Sequence, residues 1–412
     1  MSELFQVITL EQACQLMAQH LPQPQLTVEQ VPLTAALGRR LANDVIAEDD
    51  LPGFSRSTVD GFAVRASDTF GASEGLPAYL DLAGEVLMGQ AADRPVQPGQ
   101  AIKISTGGML PPGADAVVMV EYTEPLDHRT IGVTRSVAPG ENVIRRGEDV
   151  QAGELIFTRG HRLKAQDLGL LAALGRSTVE VLAPVPIGII STGDEVVTPE
   201  TQPGPGQVRD MNSYTLFGLV QMAGGRPKLY GIVPDDFTQL QEKLAQALEE
   251  NQIVLLSGGS SVGTRDVTVQ VINALGSPGV LYHGLAIRPG KPTIGAVLNQ
   301  KPVFGLPGHP VSAMVVFDLV VRPLIDGRMI NPALQEGIPV PARITRSLAS
   351  AAGREDFIRV QLRREQREYL AEPILGKSGL LTTMVRADGL VKIPLDKQGL
   401  VAGELVEVWL FE

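Results

Sequence analysis

Only one cysteine, Cys14, stands in 412 residues. That removes an internal disulfide framework and any zinc or iron–sulfur site built from thiolates. A reducing compartment fits, and the expected location is the cytoplasm. An excess of basic residues is also missing. The formal net charge is −11, whereas a general nucleic-acid or anionic-membrane surface needs clustered Lys and Arg to neutralise phosphates. No apolar run approaches the roughly 18 residues of a membrane span. The opening MSELFQVITLEQA has neither the basic start nor the apolar middle of a signal peptide. A soluble protein with no nucleic-acid and no membrane partner is expected. The chain also lacks internal repeats and low-complexity linkers.

What is present is enough apolar sequence for several cores: 44% of the residues are hydrophobic, and this length predicts two to four domains. Thr9 is placed to N-cap an amphipathic helix over residues 8–20, with Gln12 completing a capping box and Leu21-Pro22 ending it. Residues 79–134 read as short strands such as AIKIS and AVVMVEYT between Pro/Gly turns, which predicts a small β domain. QDLGLLAALG reads as a short helix ended by Gly175, followed by the strand STVEVLA. From Pro184 the order becomes strand, helix, strand, helix, and the spacing predicts a doubly wound, mostly parallel α/β sheet over residues 185–326. After Asn331-Pro332, the segments VPARITRSLAS, DFIRVQLRRE and ELVEVWLF alternate apolar and polar, predicting a C-terminal all-β domain with Trp409 in its core.

Three segments share one construction: VPIGIISTGDE (residues 185–195), IVLLSGGSSVGTRD (residues 253–266) and KPVFGLPGHPVSA (residues 301–313). In each, an apolar strand runs into a turn of Gly, Pro and small polar residues. Such turns bring bare backbone N–H groups close to a ligand, and a helix N-terminus beyond them favours negative charge. Turns at the carboxyl ends of strands in one open sheet would face one crevice, where ligands bind.

Carboxylates accompany these turns: Asp194 and Glu195, Asp235 and Asp236, and Asp266. A phosphate beside several carboxylates needs a cation between them. Magnesium is the expected one, because it takes one or two carboxylates plus substrate phosphates. Asp266 and Glu195 are the preferred ligands; alternatively, Asp266 N-caps its helix and Glu195 is a solvated loop charge. Arg288 and Lys291, in LAIRPGKPTIG, supply positive charge, Lys291 being either an anion ligand or a solvated loop lysine. Asp60-Gly61, in PGFSRSTVDGFAV, reads by itself as a turn pair.

Taken in order, PGFSRSTVDGFAV, KISTGGMLPPGADAVV, RRGED, STGDE, SGGSSVGTRD, RPGKP and GLPGHPVS resemble the MoeA family of molybdenum insertases, to which the E domain of gephyrin is related, over nearly the whole chain. GLPGHP carries His309 where many members have Asn. The resemblance implies an elongated homodimer of four parts: residues 1–50 with 143–182 as connector and dimerisation domain, 51–142 as a small β domain, 183–330 as the α/β molybdopterin-binding domain, and 331–412 as a C-terminal β domain. It implies adenylylated molybdopterin as substrate, molybdate as co-substrate, magnesium, and release of AMP. Asp60 and Thr106, with Asp149 nearby, would come from the second subunit. Glu195 and Asp266 would act around the adenylyl phosphate and its magnesium. The pterin and phosphates would be held by Ser191, Thr192, Gly193 and Asp194, by Asp235, by Ser257, Gly258, Gly259, Ser261 and Gly263, and by Pro307, Gly308, Pro310 and Ser312, with Arg288 and Lys291 assisting. Two other functions fit the residues less well: the adenylyltransferase that makes this substrate, and a non-catalytic dimeric scaffold of the gephyrin type. Transient contact with that adenylyltransferase is a further expectation.

Overall fold

A computed structural model of the protein describes residues 7–22, 27–258, 262–325 and 338–411, the side chains of 262–266 excepted. The chain divides into two compact units, one spanning Thr27–Leu182 and the other built from the segments before and after it.

The first helix, α1 (Leu10–His20), belongs with the later part of the chain. Its capping box is the expected one: the Gln12 N–H donates to the Thr9 hydroxyl at 3.2 Å and the Thr9 N–H donates to the Gln12 side chain at 3.0 Å. The helix starts at Leu10 rather than Ile8 because the backbone of Ile8 pairs with the segment around Leu285. Ala13 and Met17, one turn apart on the same face, are fully buried.

Within Thr27–Leu182, the strands β1 (Val28–Pro32) and β8 (Thr178–Leu182) pair antiparallel, so the beginning and end of the unit close on each other. Helix α2 (Ala165–Ala173) packs Leu171 into their core, and Gly175 follows it at φ +78°, as the helix-ending glycine of the sequence requires. Between them lies a six-stranded sheet of β2 (Gly61–Val64), β3 (Ala78–Val86), β4 (Gln100–Ile104), β5 (Ala116–Met119), β6 (Thr123–Pro125) and β7 (Thr130–Val133), in the order β5-β2-β4-β3-β7-β6. Here the turn reading of Asp60-Gly61 gives way. Gly61 begins β2, a buried strand paired on both sides, and a Cβ at Gly61 would sit 1.9 Å from the Val118 carbonyl oxygen. The glycine serves close approach of two strands, not a turn.

The rest of the chain begins with the α/β sheet. Its elements are β9 (Pro186–Thr192), α3 (Asn212–Met222), β10 (Arg226–Val233), α4 (Phe237–Glu250), β11 (Ile253–Gly258), α5 (Val262–Leu275), β12 (Pro278–His283), β13 (Ile294–Leu298), β14 (Lys301–Pro307) and α6 (Pro310–Val316). The strand order is β10-β9-β11-β14-β13-β12. Its first four strands are mutually parallel, and β13 runs antiparallel to both neighbours. The central strands are apolar throughout because both faces are covered. Ile187, Ile189, Leu255 and Phe304 enter one layer with α1, α3 and α6, while Ile190, Val254, Leu256 and Val303 enter the other with α4 and α5.

One local expectation is corrected, and one helix is interrupted. Helix α5 starts at Val262, so Asp266 lies inside it and cannot be its N-cap. The apolar stretch after α6 is not one regular helix: a π-turn over Phe317–Val321 interrupts it before Arg322–Ile325.

Five C-terminal strands, β15 (Val340–Ile344), β16 (Glu355–Glu365), β17 (Glu368–Pro373), β18 (Gly389–Ile393) and β19 (Leu405–Leu410), pair in a closed ring. The start of β16 also pairs in parallel with Ile287–Arg288, tying this barrel to the loop beyond β12. Trp409 is not in the barrel core as expected. On β19, Val406 and Val408 point inward, and the two-residue period leaves Trp409 on the outer face, 42% exposed. No helix of the described residues is long and apolar enough to cross a membrane.

Replacing Gly61 by Ala forces a methyl against the Val118 carbonyl. The expected cost is about 1–3 kcal/mol of stability, as for overpacked sites, read as a lowered denaturation midpoint.

Candidate active site

The register of the parallel strands sets the geometry of the site. Ser191 pairs with Ser257 and Thr192 with Gly258 across β9 and β11; Ser257 pairs with Leu306 and Gly258 with Pro307 across β11 and β14. Thr192, Gly258 and Pro307 therefore form one row, and the chain leaves all three strands at the same level. The connection from β9 goes to one side of the sheet and the strand after β10 goes to the other, so β9 and β11 flank the switch point. Gly258 is obligatory there, since a Cβ on it would lie 1.8 Å from the Thr192 hydroxyl oxygen.

Asn212, at the start of α3, ties this row together. Its side-chain N–H group donates to the Ser257 hydroxyl at 2.8 Å and to the Gly308 carbonyl at 2.9 Å. Its Oδ1 is buried and has no hydrogen-bond partner among the described residues. Sequence reasoning missed Asn212 because an Asn at the first turn of a helix reads as ordinary capping chemistry. The actual capping contact is made by Asp210, whose carboxylate accepts from the Ser213 N–H at 3.1 Å.

Around the edge of the row stand carboxylates. The Asp194 side chain accepts from the Asp235 N–H at 3.2 Å. Glu195 folds back over Gly193, where a Cβ would come within 2.7 Å of its carboxylate. Burial, and then the negative charges of Asp194 and Glu195, push the Asp235 carboxyl above the usual range. Asp236 is drawn away to N-cap α4, accepting from the Gln239 N–H at 2.9 Å. Hard carboxylate oxygens close enough for the charges of Asp194 and Glu195 to add to the effect of burial on Asp235 are the donor chemistry that a magnesium ion takes. Among the described residues no group of three or more such side chains is placed to hold a metal ion. Gly259 and Ser261 lie outside the described residues, as do the side chains at Gly263 and Asp266.

Beyond β14 the surface turns positive. A cleft of about 1240 Å³ runs between the end of the sheet and the β-barrel. It is lined by Arg288, Lys291, Arg346, Arg354, Arg359 and Lys377, against a single carboxylate among the described residues, Asp356. Pro307, His309 and Ser312 form its sheet side, with Ser312 and Pro310 buried in α6. His309 Nδ1 and the Ser378 hydroxyl are 3.0 Å apart, joining the turn after β14 to a loop of the barrel. Arg359 is almost wholly buried, donates to the Thr383 hydroxyl and the Gly376 carbonyl at 2.9 Å each, and has an Nε without a partner among the described residues. Burial pulls its pKa down from the usual arginine value. Arg288, Lys291, Pro307 and Ser312 were legible in sequence. The barrel's contribution was not, because nothing local in REDFIR or GKSG signals a ligand.

In the Thr27–Leu182 unit, Asp60 just before β2 meets Thr106 just after β4. The Asp60 carboxylate accepts from the Thr106 N–H at 2.7 Å and from its hydroxyl at 3.1 Å, and these two bonds hold its pKa below the usual range. Asp149 lies on an exposed turn whose N–H donates to the Leu51 carbonyl at 3.0 Å. The structure thus groups Ser191 to Asp194, Asp235, Ser257, Gly258, Pro307 and Gly308 at one sheet end, and Asp60 with Thr106 in the other unit.

Asn212→Ala leaves the Ser257 hydroxyl and the Gly308 carbonyl unpaired. The expected loss is about 1–3 kcal/mol, seen by denaturant unfolding. Because the folded-state pKa of Asp235 is raised, its contribution favours folding at acid pH and is lost as pH rises through that pKa. Asp235→Asn is therefore expected to raise Tm at neutral pH, with the advantage disappearing as pH falls below the carboxylate range.

Family profiles match the chain in three consecutive stretches: the MoeA N-terminal region (domains I and II) at residues 8–175, a probable molybdopterin-binding domain at residues 188–327, and the MoeA C-terminal region (domain IV) at residues 341–411. A putative molybdopterin biosynthesis protein of Methanocaldococcus jannaschii is 38% identical, with 93% of this chain and 92% of that protein covered. The molybdopterin molybdenumtransferase of Bacillus subtilis is 32% identical, with 94% and 91% covered. The crystal structure of the molybdopterin biosynthesis MoeA protein of Pyrococcus horikoshii superposes with a TM-score of 0.84 at 35% identity, covering 98% of this chain and 100% of that one. With family profiles along most of its length and full-length relatives at this level of identity, the chain belongs to the MoeA family of molybdopterin molybdenumtransferases.

Proposed function

We propose that the protein inserts molybdenum from molybdate into adenylylated molybdopterin and releases AMP, acting as a cytoplasmic homodimer. The observation that carries this reading is the single row Thr192, Gly258, Pro307, which brings the carboxyl ends of three strands together beside a positively lined cleft. Backbone N–H groups and small hydroxyls in the turns suit a phosphate-bearing pterin. The cleft, in a chain of net charge −11, suits a small doubly charged oxyanion, with Lys291 and the arginines as donors.

In this reading Ser191, Thr192, Ser257 and Ser312 orient the substrate, and the bonds made by Asn212 hold two of the turns in register. Glu195 and Asp266, with Asp194 and Asp235 close to Glu195, would hold magnesium, which when bound polarises the phosphoanhydride. Preorganisation of the two anions in fixed positions lowers the barrier, because the turns and arginines need not reorganise as charge moves. Asp60 and Thr106, with Asp149, would reach the substrate from the second subunit. The sulfurs that receive the metal belong to the pterin, so no protein thiolate is required. Cys14, whose thiol is pushed up by burial in α1, is consistent with that.

Purified protein mixed with adenylylated molybdopterin and magnesium is expected to release AMP only when molybdate is added, and Lys291→Ala is expected to raise the molybdate concentration required by about tenfold or more, as loss of a charge-assisted contact would. Accumulation of adenylylated pterin from molybdopterin and ATP would instead identify an adenylyltransferase. Absence of both activities would favour a scaffold.

A further inference from the structure

We propose that Asp356 is the positioning residue of the positive cleft: its buried carboxylate holds Arg354 and Arg288 in the orientation that receives the oxyanion. The inference rests on the reading of that cleft as an anion site. Among the described residues Asp356 is the one acidic residue lining it, and its side chain is only 2% exposed. A carboxylate buried among cations at an anion site works against the ligand by simple charge, so its presence calls for a compensating role.

The geometry supplies that role. Arg354 Nε donates to one Asp356 oxygen at 2.9 Å and an Nη group donates to the other at 3.4 Å, a two-pronged grip that fixes the guanidinium plane. Arg288 Nη1 approaches the same carboxylate at 3.9 Å, as an ion pair rather than a hydrogen bond. The two arginines come from different elements. Arg354 immediately precedes β16 and Arg288 lies in the short strand that pairs with the start of β16, with Arg288 directly opposite Asp356. Asp356 thus sits where the loop beyond the sheet meets the barrel, hydrogen-bonded to Arg354 on the barrel side and ion-paired with Arg288 on the loop side. Arg354 and Arg288 keep 35% and 65% of their side-chain surface exposed. Asp356 engages two of the five N–H donors of Arg354, which leaves donors for a ligand.

Charge and positioning predict opposite signs for one substitution. Asp356→Asn keeps the shape and removes one negative charge from the cleft. If Asp356 only offsets charge, molybdate binds more tightly. If it positions the arginines, binding weakens, because two rotamer-rich side chains must then be ordered by the ligand itself. Full-length protein titrated calorimetrically with sodium molybdate is expected to show Kd about five- to tenfold weaker for Asp356→Asn, with partial recovery in Asp356→Glu and an unchanged circular dichroism spectrum. Arg354→Lys, which keeps the charge but loses the fork, is expected to weaken binding similarly and to add nothing further in the Asp356→Asn background. Equal or tighter binding by Asp356→Asn overturns the inference while leaving the anion cleft standing. Should Asp356→Asn not fold, wild-type affinity in Arg354→Lys overturns it equally. A wild-type protein that binds no molybdate removes the anion cleft and the role of Asp356 together.

Discussion

Register in a parallel sheet admits no partial error: a shift of one residue between neighbouring strands turns every side chain to the opposite face. In this protein the register of β9, β11 and β14 does more than fill two core layers. It brings Thr192, Gly258 and Pro307 to one level, so that three separate segments of sequence end together. Ile189, Leu255 and Phe304 on one face and Ile190, Val254 and Leu256 on the other hold that register by burial. Gly258 permits the close approach, and Asn212 bonds the exits of two of the strands to each other.

Around this end the charges are sorted by sign. Carboxylates gather beside the turns after β9 and β10, where burial first, and then the charges of Asp194 and Glu195, push the Asp235 carboxyl above its usual range. Cations gather beyond β14, in the cleft against the barrel. In the proposed function, such a division would serve a reaction between two anions, one carrying a divalent cation and the other met directly by guanidinium and ammonium groups. Asp356 and the His309–Ser378 contact belong to the junction between sheet and barrel, and each joins residues far apart in sequence.

Many of these elements are legible in the amino-acid sequence. The capping box of α1, the helix end at Gly175, the alternation of the α/β region and the β character of the tail all arise from local periodicity and cap chemistry, which act over a few residues. The failures have physical causes of the opposite kind. Gly61 looks like a turn residue because Asp-Gly is turn chemistry, yet it answers to the carbonyl of Val118, more than fifty residues away. Trp409 looks like core because it is large and apolar, yet the phase of β19 was set by Val406 and Val408. Asn212 and the arginines of the barrel carried no local signal at all.

What the sequence determined alone was therefore the set of elements and the composition of each turn: an apolar strand followed by small residues, repeated three times, is a statement about nearest neighbours. Which of those turns lie side by side, that Asn212 bridges two of them, and that Arg288 faces a carboxylate on β16 were decided only by tertiary structure. The reason is that strand order and pairing register are set by long-range burial, whose free energy depends on which surfaces meet and not on the residues adjacent along the chain.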